Sequence, residues 1–129
     1  MPIQLEFTPQ PGYLYARATG DFQSHDLAPA LATIFDEYAR ATLRGVLIDV
    51  FDLHGDLPTM ERYKVGVLYA DHARKIAVEQ AGRRPRIAIV GQPPLYDPQR
   101  FVETVATNRG VALRVFTDLG AATAWLEGD

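Results

Sequence analysis

The sequence contains no cysteine in its 129 residues. That excludes disulfides, thiolate metal sites and a cysteine nucleophile. No apolar run approaches the roughly 18–20 residues of a membrane span, and no charged-then-apolar opening suggests a signal peptide. The cytoplasm is therefore the expected compartment. Internal repeats, low-complexity segments and long linkers are absent as well, so residues 1–129 are expected to form a single domain. Excess charge is small, with a net of −3, which argues against nucleic acid as a partner. No catalytic signature stands out, so no catalytic residue, metal or cofactor is assigned.

What is present is an ordinary globular composition, 47% hydrophobic and 22% charged. A chain of this length buries about 65–70% of its unfolded surface and needs no staple to fold. The charge is unevenly distributed. Residues 1–58 carry three basic and eight acidic groups, residues 59–86 seven and three, and residues 87–129 three and five. The positive block coincides with one helical segment and the loop after it.

Hydrophobic periodicity orders the chain as β-β-α-β-α-β-α-β-α. Ile3, Leu5 and Phe7 alternate with polar residues, and Tyr13 to Thr19 is rich in aromatic and β-branched groups. With Pro9-Gln10-Pro11-Gly12 between them, they predict a β-hairpin. A helix is predicted from Ser24, as its cap, to about Ala41, with Leu27, Leu31, Ile34, Phe35 and Tyr38 on one face. Val46 to Val50 and Arg86 to Val90 read as strands buried on both faces. The longest helix is predicted from Thr59 to about Ala81, and another from Pro98 to about Asn108. Leu113 to Phe116 is the last strand, and Asp118 caps a terminal helix. Strands alternating with helices imply parallel pairing with right-handed crossovers. The expected fold is thus a mixed, mostly parallel five-stranded sheet flanked by four helices.

Certain residues carry a family resemblance. Gly20-Asp21-Phe22 leads into a helix, and Val46-Leu47-Ile48-Asp49-Val50 precedes a Pro58-Thr59 helix start. Ile87-Ala88-Ile89-Val90-Gly91, Asn108-Arg109-Gly110 and Phe116-Thr117-Asp118…Ala124-Trp125-Leu126 follow. The chain resembles the bacterial SpoIIAA-like family, described as STAS domains with similarity to CRAL-TRIO lipid-transfer domains. The resemblance spans nearly the whole chain, and its motifs are structural. It implies a mixed sheet flanked by helices. STAS anti-sigma-factor antagonists carry a phosphorylatable serine in an Asp-Ser-Ser-Gly type turn. Here the matching region is Leu53 to Thr59, which lacks that turn; Thr59 keeps a hydroxyl at the comparable helix start.

Candidate functional residues cluster in three places. Asp49, Asp52, His54 and Asp56 crowd one strand end, where they could hold a cation or pair a base with a carboxylate. Their spacing matches no established metal loop, and solvated acids are the plainer reading. Thr59 and Arg62 could form an anion site at a helix start, or Thr59 could simply cap that helix. The long helix carries a small-residue stripe, Tyr63, Gly66, Ala70, Ala73 and Ala77, yet residues 65–70 are apolar all round. A second subunit, an apolar ligand, a lipid surface or a neighbouring part of the same chain must cover the far side. Arg74, Lys75, Arg83, Arg84 and Arg86 form a basic end, either solvated or in peripheral contact with anionic lipid or an acidic partner. His25 and His72 show no metal spacing.

The resulting expectation is a non-enzymatic binding or regulatory module for a small apolar or amphiphilic ligand, functioning as a homodimer. The expected cleft lies between the helix from Thr59 and the loops 51–58 and 92–98. Its candidate lining is Phe51, Leu57, Thr59, Arg62, Lys64, Leu68, Tyr69, Leu95 and Tyr96, with Arg62 and Lys64 meeting anionic head groups. A protein-interaction switch phosphorylated near Thr59 is the alternative. A hydrolase or metal enzyme using the 49–56 loop ranks third.

Overall fold

A computed structural model describes residues 3–92 and 101–128. Strands β1 (Ile3–Gln10) and β2 (Tyr13–Asp21) form the expected hairpin, paired antiparallel from Ile3↔Gly20 to Gln10↔Tyr13. Gly12 turns the chain with φ +88°, a conformation that costs glycine little. A single 3₁₀ turn, Ser24–Asp26, precedes α1 (Leu27–Arg40). Ser24 is therefore not the helix cap. The Asp26 carboxylate instead accepts a 2.7 Å hydrogen bond from the Gln23 N–H and secures the chain entry. β3 (Gly45–Asp49), β4 (Leu53–His54), α2 (Thr59–Glu79) and β5 (Arg86–Val90) follow. α3 (Phe101–Asn108), β6 (Ala112–Phe116) and α4 (Leu119–Glu127) complete the chain. The predicted start of α3 at Pro98 lies outside the described residues.

The sheet runs β1-β2-β3-β5-β6, parallel except for the hairpin. It has six strands rather than five, because the short β4 pairs parallel with the end of β2, Gly20↔Leu53 and Asp21↔His54. Two residues are too few for an alternation to show in the sequence. β2 outruns β3 and leaves backbone groups that β4 satisfies.

Each parallel crossover steps one way along the sheet. Right-handed crossovers in one direction place their helices on one face. α1, α2 and α3 accordingly share that face, where Leu31, Ile34, Phe35, Tyr38, Tyr69, Ile76 and Ala106 pack on Leu14, Ala16, Val46, Ile48, Ile87, Ile89, Leu113 and Val115. Among the described residues α4 alone covers the other face, with Ala122 and Leu126 against Leu47, Ala88 and Val90. Asp118 caps α4 by accepting a 2.9 Å bond from the Ala121 N–H.

α2 lies between α1 and α3. Its small stripe lets it approach closely: Gly66, Ala70 and Ala73 are buried, and a Cβ built on Gly66 would stand 2.7 Å from Val105 Cβ. The girdle at residues 65–70 is partly covered inside the chain: Gly66, Tyr69 and Ala70 are buried, and Val65, Val67 and Leu68 are half-buried. Tyr69 is 5% exposed and Leu68 packs against the main core. Much of the cover that the girdle calls for thus comes from α1 and α3 of the same chain, one of the alternatives expected, because sequence periodicity cannot show that a helix has neighbours on both flanks.

Candidate functional site

An apolar cavity of about 90 Å³ lies beneath α1 and α2, at the carboxyl ends of the parallel strands. The sheet contributes Ile3, Ala18, Ile48, Ile89 and Val115. Leu27, Ala30, Leu31 and Ile34 come from α1, and Arg62, Val65 and Tyr69 from α2. The segment after β3 adds Val50, Leu53 and Leu57. Ala18 and Ala30 are small residues at close-packed positions, where larger neighbours would fill the space. Arg62 is the one charged wall residue among those described, with its Nε shielded from solvent. Burial raises the Tyr69 phenol pKa, so Tyr69 stays neutral across physiological pH.

The expected site is only partly reproduced. Leu57, Arg62 and Tyr69 line the cavity. Phe51 is 39% exposed, Thr59 and Lys64 are exposed, and Leu68 packs in the helix layer; none of these four lines it. Leu95 and Tyr96 lie outside the described residues, as do prolines 93, 94 and 98. The cleft was expected between the helix from Thr59 and the loops 51–58 and 92–98, and that helix and the 50–57 segment do border the cavity. The rest of its wall comes from α1 and the sheet, so the space lies deeper, under the helix layer. Ile3, Leu27, Ala30 and Leu31 escaped sequence reasoning because they come from distant segments. The alternation and the helix face marked Ile3, Leu27 and Leu31 only as core, and Ala30 fell on neither.

The acidic loop divides by partner. Tyr15 donates a 2.6 Å hydrogen bond to Asp49 Oδ2, and Asp49 Oδ1 accepts from the Phe51 N–H at 3.0 Å. Burial, followed by this hydrogen bond, pushes the Tyr15 pKa up to about 12. Arg17 bonds Asp52 at 2.9 Å and also faces Glu6 at 3.5 Å. His54 and Asp56 are exposed. Among the described residues no three His, Asp or Glu side chains gather to hold a metal, which removes the geometry that a metal enzyme at 49–56 would need.

The helix starting at Thr59 begins with Pro58 as N-cap and no side-chain cap bond, so Thr59 is its first helical residue rather than its cap. The basic end is largely structural. Arg83 donates to the carbonyls of Tyr38 (3.2 Å) and Leu43 (2.5 Å) and stacks 4.0 Å over the Tyr38 ring. Arg86 lies 4.4 Å over Trp125, and Arg74 pairs with Asp71 at 3.4 Å. His72 stacks on Phe35 with ring centroids 4.9 Å apart, a packing role. No described helix is long and apolar enough to cross a membrane.

A mixed sheet with three helices on one face and one on the other places the chain among proteins of SpoIIAA-like fold. Two solved structures carry that statement. One is an anti-sigma factor antagonist from Mycobacterium paratuberculosis, 14% identical, with TM-score 0.61 over 98% of this chain and 95% of that one. The other is an uncharacterised protein of the DUF3478 family with a SpoIIAA-like fold from Shewanella loihica. It is 22% identical, with TM-score 0.52 over 96% of this chain and 93% of that one. At such identities the likeness is one of fold. No protein-family model matches the chain, and no curated protein does.

Proposed function

We propose that this chain is a non-enzymatic binding or regulatory module whose cavity receives a short apolar group. The observation that carries the reading is the cavity itself, apolar in its walls, with Arg62 the one charged wall residue among those described. Its size selects the ligand. About 90 Å³ falls well below the roughly 300–1,000 Å³ that enclose a drug-sized molecule. A whole fatty acid is therefore too large. A short alkyl chain with an anionic head fits better, its chain among Ala18, Ala30 and Val65 and its head towards Arg62. Titration of butyrate and hexanoate, followed by amide chemical shifts, tests this. Saturable shifts at residues 18, 30 and 65, abolished in Ala30→Leu, are expected. Unchanged shifts at millimolar ligand would sink the reading.

A second reading rests on the structural likeness to an anti-sigma factor antagonist. On that reading the chain is a protein-interaction switch. Thr59 is exposed at the first position of α2, where a phosphate would meet free backbone N–H groups. Mass spectrometry of the protein from its native cells would reveal phosphate on Thr59. An unmodified Thr59 in every growth phase removes the switch.

A further inference from the structure

The two edges of the sheet are treated differently. β6 is five residues long, carries Arg114, and spends its Val115 N–H on the Glu103 carboxylate at 2.9 Å. Short strands, charges and side-chain covers are the usual devices that keep an edge from pairing. β1 has few of them. It runs eight residues in unbroken one-to-one register with β2, so it holds no bulge. It carries no lysine or arginine, and its single charge, Glu6, lies on the outward face with Gln4 and Thr8. Leu5 and Phe7 on the inward face are only partly buried. Among the described residues, no backbone hydrogen bond reaches β1 except from β2.

We propose that β1 pairs antiparallel with β1 of a second copy, about a two-fold axis through Leu5, to make one continuous sheet. Self-complementarity selects that occupant and that register. Antiparallel partners share a face, so an axis between residues would set apolar groups against the solvent face. An axis at Glu6 opposes two like carboxylates. An axis at Phe7 draws Pro9, which has no N–H, into the paired span opposite Leu5. The axis at Leu5 leaves Pro9 outside, sets Leu5 against Leu5 and Ile3 against Phe7, and puts each Gln4 opposite a Glu6. A two-fold interface of this kind is the commonest route to a closed dimer.

The Gln4–Glu6 pairing provides the test, because both residues are exposed and each cross-pair occurs twice. Sedimentation velocity over a concentration series should show a reversible monomer–dimer equilibrium. Gln4→Lys should tighten the dimer and Gln4→Glu should weaken it, each by roughly two- to thirty-fold in Kd. Adding Glu6→Lys to Gln4→Glu should restore dimerisation. Opposite signs from two surface substitutions cannot arise from a folding defect, and circular dichroism should be identical throughout. A protein that is monomeric at every concentration, leaving the edge to some other extended strand, overturns the proposal. So does a dimer whose Kd ignores both charge changes.

Discussion

The two ends of the parallel sheet make opposite use of their charge and volume. Where β3 and β5 begin, helices α1 and α4 end, and their last carbonyls need donors. Arginines supply them. Arg83 closes on Tyr38 and Leu43, while Arg44 donates to the carbonyls of Leu126 and Gly128 at 2.7 Å. Arg86 adds a bond to Gly128 at 3.3 Å. Where the same strands finish, the described residues enclose a cavity with Arg62 in its wall. A cation near a helix C-terminus is favoured by the dipole and by the unpaired carbonyls. Basic residues in a sequence therefore need not mark a surface for anions. In this protein arginine–carbonyl bonds gather at one pole and the cavity lies at the other.

The largest effect is expected in the helix layer, where it borders the cavity. Tyr69→Asp buries a carboxylate in a seam covered on both flanks by α1 and α3. We expect a loss of more than about 4 kcal/mol, or no folded protein at all, in urea denaturation. A folded monomer would mean that the seam is an outer surface. Next comes Arg83→Ala at the stapled pole, which strips several carbonyls of a charged donor. About 2–4 kcal/mol should be lost, with Arg83→Lys recovering only part because its ammonium lacks the planar fork.

Gly66→Ala probes the close contact of α2 with α3. A Cβ 2.7 Å from Val105 Cβ forces a shift, and about 1–3 kcal/mol should be lost although alanine is the better helix former. The cavity pole should respond in the opposite direction. Ala30→Val adds volume to an unfilled wall, and a gain of about 0.5–1 kcal/mol in thermal unfolding is expected, with weaker alkyl-carboxylate binding. An equal loss at both poles would erase the distinction between them.

The smallest effect is a pH dependence at His72. Burial, then Lys75, holds its pKa below the ordinary 6.5, against the opposing pull of Asp36 and Asp71. The unfolded chain thus takes up its proton first as pH falls. The stability that neutral His72 contributes is complete above about pH 6.5 and declines as pH drops from there towards the folded pKa. His72→Phe keeps the ring stack on Phe35 and should flatten that part of the stability–pH curve. An unchanged acid limb would place the titration elsewhere.

Most of the architecture was legible in the residues because it rests on short-range periodicity. Alternation at Ile3, Leu5 and Phe7 and the apolar runs at 46–50 and 86–90 each mark a strand. The α1 face, from Leu31 to Tyr38, marks a helix. These patterns, with the crossover rule, point to a mostly parallel mixed sheet; which face each helix takes followed only from the strand order. The resemblance to SpoIIAA-like proteins pointed to the same fold. Local details at the helix starts and one short strand differed. Pro58 displaced Thr59 as cap, Gln23 and Asp26 displaced Ser24, and β4 exists only because β2 extends past β3.

The site belongs almost wholly to tertiary structure. Sequence placed Leu57, Arg62 and Tyr69 near one another because a single loop and helix carry them. Ile3, Ala18, Ala30 and Val115 join them only through sheet order and helix packing. Sequence likewise showed that residues 65–70 are apolar all round, but only the positions of α1 and α3 decided how far the chain covers them itself. Periodicity records which way a side chain points along its own element. What it meets there depends on contacts between segments far apart in the chain, and those are set when the helices close on the sheet.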